Sequence, residues 1–248
     1  MEYVIKHGTG FSVEVGSPEE PEITRWTSWG NGDLQQSFML HTPEGTLITD
    51  PVLPQQGEAL KVLKQRAGRV AAILSLSPLH ERHISEAARR YRAPIYGPPS
   101  AKKTTKYGRK LNARYGADQP LLGGIQTIES GDENGEIWLY WQTPKGKKVL
   151  VNADTIYGQN EQGGMGGRNA SYWMQEKGIR LRATGTPLRT ELRRRYERLD
   201  ALDIDLILNG HNPLPLTNPK AVINEVLSKG TFEVHPSGVC TFMYLDFK

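Results

Sequence analysis

Four side chains able to hold a metal or move a proton follow directly after short apolar runs that read as buried strands: His80 and His83, Asp154 and His211. Imidazoles and a carboxylate form the donor set of a catalytic zinc or iron site, provided one position stays open for water or substrate. Each residue alone says little. An isolated histidine usually satisfies a hydrogen bond, and an aspartate at a strand end usually closes a turn. Their joint placement carries the signal, because carboxyl ends of strands in α/β layers converge on one edge, where sites form.

The elements that must position these residues follow from periodicity. Residues 38–42 and 46–49 flank Pro43-Glu44-Gly45, a strand, turn, strand pattern. Residues 57–66 carry Leu60, Val62 and Leu63 at helical spacing, with Gly68 as the stop. The run 70–76 is continuously apolar, as a strand buried on both faces requires. A helix over 84–92 and a strand over 93–97 follow, and this alternation implies an α/β layer arrangement. Further strands are expected over 125–128, 136–141, 147–152, 204–208, 231–234 and 239–245. Helices are expected over 188–202, which is strongly basic, and over 219–227. No repeat or linker divides the chain, so residues 1–248 are expected to form one domain.

With 248 residues, 37% of them hydrophobic, the chain can bury a sizeable core. No apolar run approaches the roughly 20 residues that span a bilayer. The start lacks a secretory pattern, and the single Cys240 can form no internal disulfide or multi-thiolate zinc site, so a cytoplasmic location is expected. Cys240 itself reads as a buried strand residue. The net charge of +4 favours anionic partners without identifying one.

Chain order and local sequence over about residues 38–213 resemble the metallo-β-lactamase superfamily. Thr46-Leu47-Ile48-Thr49-Asp50-Pro51 is similar to the strand that ends in that family's structural aspartate, and residues 73–83 fall where the family has His-x-His-x-Asp-His. Residues 147–157 resemble the strand delivering the metal-bridging aspartate, here Asp154, and 205–211 the strand delivering the last histidine, here His211. The resemblance implies a four-layer αββα sandwich, two mixed β-sheets face to face with helices outside. It also places His80 and His83 at the second and last histidines of the motif. Pro78 stands at the first, Arg82 at the aspartate, and Asp132 is the best counterpart of the next histidine ligand.

That ligand set implies one ion rather than two, with zinc the first expectation and iron or manganese the others. His83, Asp154 and His211 are the first candidate ligands, and His80 or Asp132 completes the shell or acts as a base. A bound water acidified by the ion would then attack an ester, thioester or lactone-like bond of a small-molecule substrate. The alternative turns on Arg82. A guanidinium cannot ligate a metal, so it replaces the cation, with Asp154 as its ion-pair partner, and the edge binds a small anionic ligand or a partner without catalysis.

Other features point elsewhere. Lys102, Lys103, Lys106, Arg109, Lys110 and Arg114 cluster around Tyr107 and Tyr115, a composition that binds single-stranded nucleic acid, although a solvated surface explains it more simply. Nucleic acid is therefore not the expected partner, nor is a membrane. Trp26 and Trp29 with Gly30-Asn31-Gly32 read as an aromatic loop bordering the cleft. The glycine-rich stretch beginning at Gly158 and running to Trp173 reads as a lid or a surface loop.

Overall fold

The computed structural model describes residues 4–6, 11–15, 21–30, 33–101, 107–130, 135–153, 156–157, 180–183, 197–211, 216–217, 219–220, 231–232 and 241–244. The first sheet follows chain order: β1 (Val4–Lys6), β2 (Phe11–Val15), β3 (Ile23–Gly30), β4 (Asp33–Thr42), β5 (Gly45–Thr49), β6 (Val70–Leu74), β7 (Ile95–Gly97) and β8 (Ala113–Arg114). Its first five strands are antiparallel, and β5 to β8 run parallel.

The second sheet is built from β9 (Gln126–Glu129), β10 (Ile137–Gln142), β11 (Lys148–Asn152), β14 (Leu206–Asn209) and β15 (Leu216–Thr217), in the order β15-β14-β11-β10-β9. Only β11 and β14 pair in parallel. Strands β12 (Ile156–Tyr157), β13 (Arg180–Ala183), β16 (Thr231–Phe232) and β17 (Thr241–Tyr244) form a third, four-stranded ribbon. Helices α1 (Glu58–Ala67) and α2 (Ile84–Tyr91) supply the crossovers between parallel strands of the first sheet.

Strand alternation explains the layers. Phe38, Leu40, Leu47, Ala72 and Leu74 point into the sandwich, against Ile137, Leu139, Trp141, Val149, Val151, Leu206 and Leu208 of the second sheet. Their neighbours Met39, Ile48 and Ile73 point the other way, against Ala59, Leu63 and Ala67 of α1 and Ile84 and Ala87 of α2. Met39, Ile48 and Leu63 are fully buried, and each such side chain contributes about 1.5–3 kcal/mol. On the second sheet Trp138, Leu150 and Ile207 are buried on the outer face as well, so that sheet is also covered on both sides. The architecture is the expected αββα sandwich of two mixed sheets.

Gly45 closes the β4–β5 turn at φ 133°, where a Cβ would lie 2.9 Å from the Arg69 carbonyl oxygen, so the turn has no room for a side chain.

One sequence expectation is corrected. The segment with Trp26 and Trp29 is strand β3, not a loop, paired from Ile23↔Leu40 to Gly30↔Asp33. Trp26 is fully buried beside Met39 and Ile48, and its Nε1 donates to the Val52 carbonyl at 2.6 Å. Tryptophan and threonine, both well suited to a pleated half-buried surface, fit this strand. The glycine-rich stretch, most of the basic helix and the helix expected after residue 219 lie outside the described residues, as do Asp132, Asp154 and Cys240.

Candidate functional site

Strands β5 and β6 of one sheet and β11 and β14 of the other end at a common edge, and β4 reaches it from the opposite direction. β4 pairs with β5 only from Phe38 onward, so its first half extends past β5. There Gln36 N donates to the Gly210 carbonyl at 2.8 Å, and Gln35 forms an isolated bridge with His211. Gly210 N in turn donates to the Ala153 carbonyl at 3.1 Å. A Cβ at Gly210 would sit 2.6 Å from that carbonyl oxygen, so only glycine lets the ends of the neighbouring strands β11 and β14 lie this close.

Asp50 follows β5 at φ 39°, a left-handed conformation that aspartate tolerates better than most residues. Its buried carboxylate accepts from Leu76 N at 3.0 Å and holds His80 Nδ1 at 2.9 Å. A carboxylate against Nδ1 sets the tautomer: the proton sits on Nδ1, and Nε2 presents its lone pair. His80 Nε2 faces His211 Nε2 at 3.2 Å, with the rings edge to face at 61°. That contact is a hydrogen bond when His211 carries its proton on Nε2.

Arg82, at φ 26°, completes the arrangement. Its Nη1 donates to the Gln36 carbonyl at 2.7 Å and the Asp50 carbonyl at 3.0 Å. Its Nη2 donates to the Gly210 carbonyl at 3.2 Å and lies 3.4 Å from His80 Nε2 and 3.5 Å from His211 Nε2. One guanidinium thus ties β4, the end of β5 and the end of β14 together. Two non-glycine residues at positive φ in one small site store roughly 1–3 kcal/mol of strain each, which the surrounding contacts must hold.

The loop carrying His80 and Arg82 rests on a buried polar floor. Ser75 Oγ lies 2.8 Å from both the Ser77 carbonyl and Tyr107 Oη, and Tyr115 Oη donates to the Ser75 carbonyl. Burial pushes Tyr107 up to about 12; burial, with the nearby charge of Asp50, also holds Tyr115 well above its ordinary value. Both phenols therefore stay protonated donors. These are the aromatics the basic cluster surrounds in sequence. Their rings are buried and offer no stacking surface, while Arg109 and Lys110 are exposed and Lys102, Lys103 and Lys106 lie outside the described residues.

Of the candidate residues, the structure brings together His80, Arg82 and His211. His83 caps α2, and its Nδ1 accepts from Leu53 N at 2.9 Å. The described contacts of Arg82 are with carbonyls and imidazoles. Three participants were not among the candidates. Asp50 entered only as the counterpart of the family's structural aspartate and not as a site residue, and Gln36 takes part through its backbone, which no side-chain pattern signals. Glu136, from the same turn as Asp132, is 1% exposed, and its Oε1 accepts from Ala153 N at 3.0 Å, bracing the segment that leads into Asp154.

Two features suit zinc. The carboxylate behind His80 is the usual outer partner of a ligating imidazole. Two ligands of a tetrahedral ion with ~2.0–2.1 Å bonds lie roughly 3.3 Å apart, close to the 3.2 Å between the two Nε2 atoms. The third corner does not suit it. An ion bonded to both imidazoles would lie within roughly 4 Å of Arg82 Nη2, and a dication there meets about 8 kcal/mol of repulsion at an effective dielectric of 20. Among the described residues no group of three or more histidine, cysteine, aspartate or glutamate side chains is arranged to hold a metal. With Arg82 in this position the described residues do not fit the ion; Asp132 and Asp154 lie outside them.

No family model matches the chain, and no curated protein matches it significantly. Solved structures do. The DIM-1 metallo-β-lactamase exposed to ceftazidime superposes with a TM-score of 0.57, covering 87% of this chain and 95% of that one at 13% identity. A metallo-β-lactamase from Erythrobacter litoralis, with β-mercaptoethanol in its active site, gives 0.56 over 91% and 98% at 11% identity. The chain has the metallo-β-lactamase fold. Among the described residues no helix is long and apolar enough to cross a membrane.

Proposed function

We propose that this chain is a metal-independent protein of the metallo-β-lactamase fold that acts by binding rather than hydrolysis, with Arg82 standing where the fold's relatives would place a cation. The observation that supports this is the guanidinium itself, held by three backbone carbonyls and set against the two imidazoles that a metal would need. A fixed positive charge there does the structural work of an ion, drawing the loops of both sheets together. It activates no water, because both of its terminal amino groups are engaged by the protein.

The second reading is a mononuclear hydrolase of an ester, thioester or lactone. It is favoured by the Asp50–His80 pair and the 3.2 Å imidazole separation, which match a ligand set once Arg82 is displaced. Metal analysis of protein purified without chelator separates the two, repeated on His80→Ala, His83→Ala and His211→Ala, with hydrolysis assayed on a representative ester, thioester and lactone. The binding reading expects substoichiometric metal in all four proteins and no turnover. One zinc per chain in the parent, lost in the histidine variants together with turnover, would establish the hydrolase instead.

A further inference from the structure

One cleft among the described residues lies away from the sheet edge. It lies between α2 and the segment around Lys110, has a volume of about 520 Å³, and falls in the size range of small-molecule sites. Ala88, Ala93 and Ile95 give it an apolar floor, and its rim carries Ser85, Glu86, Arg89, Lys110 and Asn112.

The polar groups on this rim are of one kind. Arg89 and Lys110 are exposed cations with no carboxylate partner among the described residues. Asn112 spends its Oδ1 on Ile95 N at 2.8 Å, which leaves its amide N–H groups for the cleft. Ser85 Oγ is buried and has no hydrogen-bond partner. Glu86 is the one acid, and Arg90 holds it at 2.6 Å. Partial burial alone would raise the Glu86 carboxyl, but the bond and charge of Arg90 outweigh that and hold it below its ordinary value. An apolar floor under a rim of uncommitted donors selects a ligand with a short apolar body and an anionic head.

We propose that this cleft is a binding site for a small organic anion, a carboxylate or phosphate monoester, with Arg89, Lys110 and Asn112 receiving the charged head and Ile95 the body. The site is separate from the Arg82 edge, so it stands or falls independently of whether a metal binds there.

An amide NMR titration of the full chain tests it, with phenyl phosphate and benzoate as probes and phenol as the neutral control. Saturable shifts at Arg89, Ile95 and Asn112 with either anion, absent with phenol, are expected, and the stronger of the two identifies the head group. Because both cations are exposed, R89E/K110E should keep its spectrum yet bind about tenfold or more weakly; R89Q/K110Q should fall between. Equal binding of phenol, unchanged affinity in both double variants, shifts confined to the residues around Arg82, or no saturable shift at all would overturn the proposal.

Discussion

The sheet edge around Arg82 and the cleft beside α2 are joined by a few residues of chain, yet they treat charge in opposite ways. At the edge, Arg82, Asp50, His80 and His211 satisfy one another and the backbone of both sheets. In the cleft, Arg89 and Lys110 face outward over an apolar floor. A polar cluster turned inward rigidifies a fold and carries a large penalty when broken, whereas cations left unpaired at a surface cost almost nothing and remain for a ligand. On the proposed reading, His80, Arg82 and His211 serve cohesion, and the ligand site proposed beside α2 lies where no motif pointed.

This contrast is sharpest in stability. Arg82→Ala should have the largest effect, a loss of about 3 kcal/mol by denaturant unfolding, because it removes charge-assisted hydrogen bonds to three carbonyls of two sheets. Arg82→Lys should recover only part, since an ammonium cannot span them in one plane. A fully stable Arg82→Ala would mean that the guanidinium is not a strut. Gly210→Ala should cost about 2 kcal/mol, because its Cβ would press on the Ala153 carbonyl and push β14 from β11. The same variant should separate the His80 and His211 imidazoles, a change visible in their ring nitrogen NMR signals.

Asp50→Asn should cost about 1–2 kcal/mol and move the His80 proton from Nδ1 toward Nε2, which nitrogen NMR resolves directly. At the other extreme, R89E/K110E should shift stability by less than about 0.5 kcal/mol, as expected of exposed side chains outside any such network.

His41 offers a check away from both regions. It bridges Thr24 Oγ1 at 2.9 Å and Thr46 Oγ1 at 3.0 Å, and burial, with Arg66 nearby, lowers its pKa from 6.5 to about 4. The fold favours the neutral ring, so this contribution is complete above pH 6.5 and drains away as the pH falls toward 4. His41→Gln should flatten stability across that window. An unchanged slope would place the acid sensitivity in another group.

Much of the architecture was legible because both faces of its central strands are apolar. The run Val70–Leu74 and the strand–turn–strand at Gly45 read directly as β6 and β4–β5. Strands β1 to β3 were not: β1 and β2 are only three and five residues long, and Thr24, Arg25, Thr27 and Ser28 leave β3 with few apolar residues, so pairing with β4 rather than propensity makes it a strand. At the site, sequence placed His80, Arg82 and His211 at one edge; Asp154, offered as the ion-pair partner of Arg82, lies outside the described residues, and the described contacts of Arg82 reach the backbone. The carbonyls that hold it belong to Gln36, Asp50 and Gly210, and backbone acceptors leave no trace in side-chain identity. Glu136 escaped notice because a buried acid within a polar turn looks like every other turn acid until burial is known.

Zinc affinity of the parent chain beside Arg82→Asp, by competition with a chromogenic chelator, tests the central claim most directly. Removing the cation and restoring a carboxylate relieves the repulsion, so the variant should bind zinc tighter by on the order of a thousandfold or more, while the parent binds it only weakly. A parent chain that holds zinc as tightly as the variant would contradict the account.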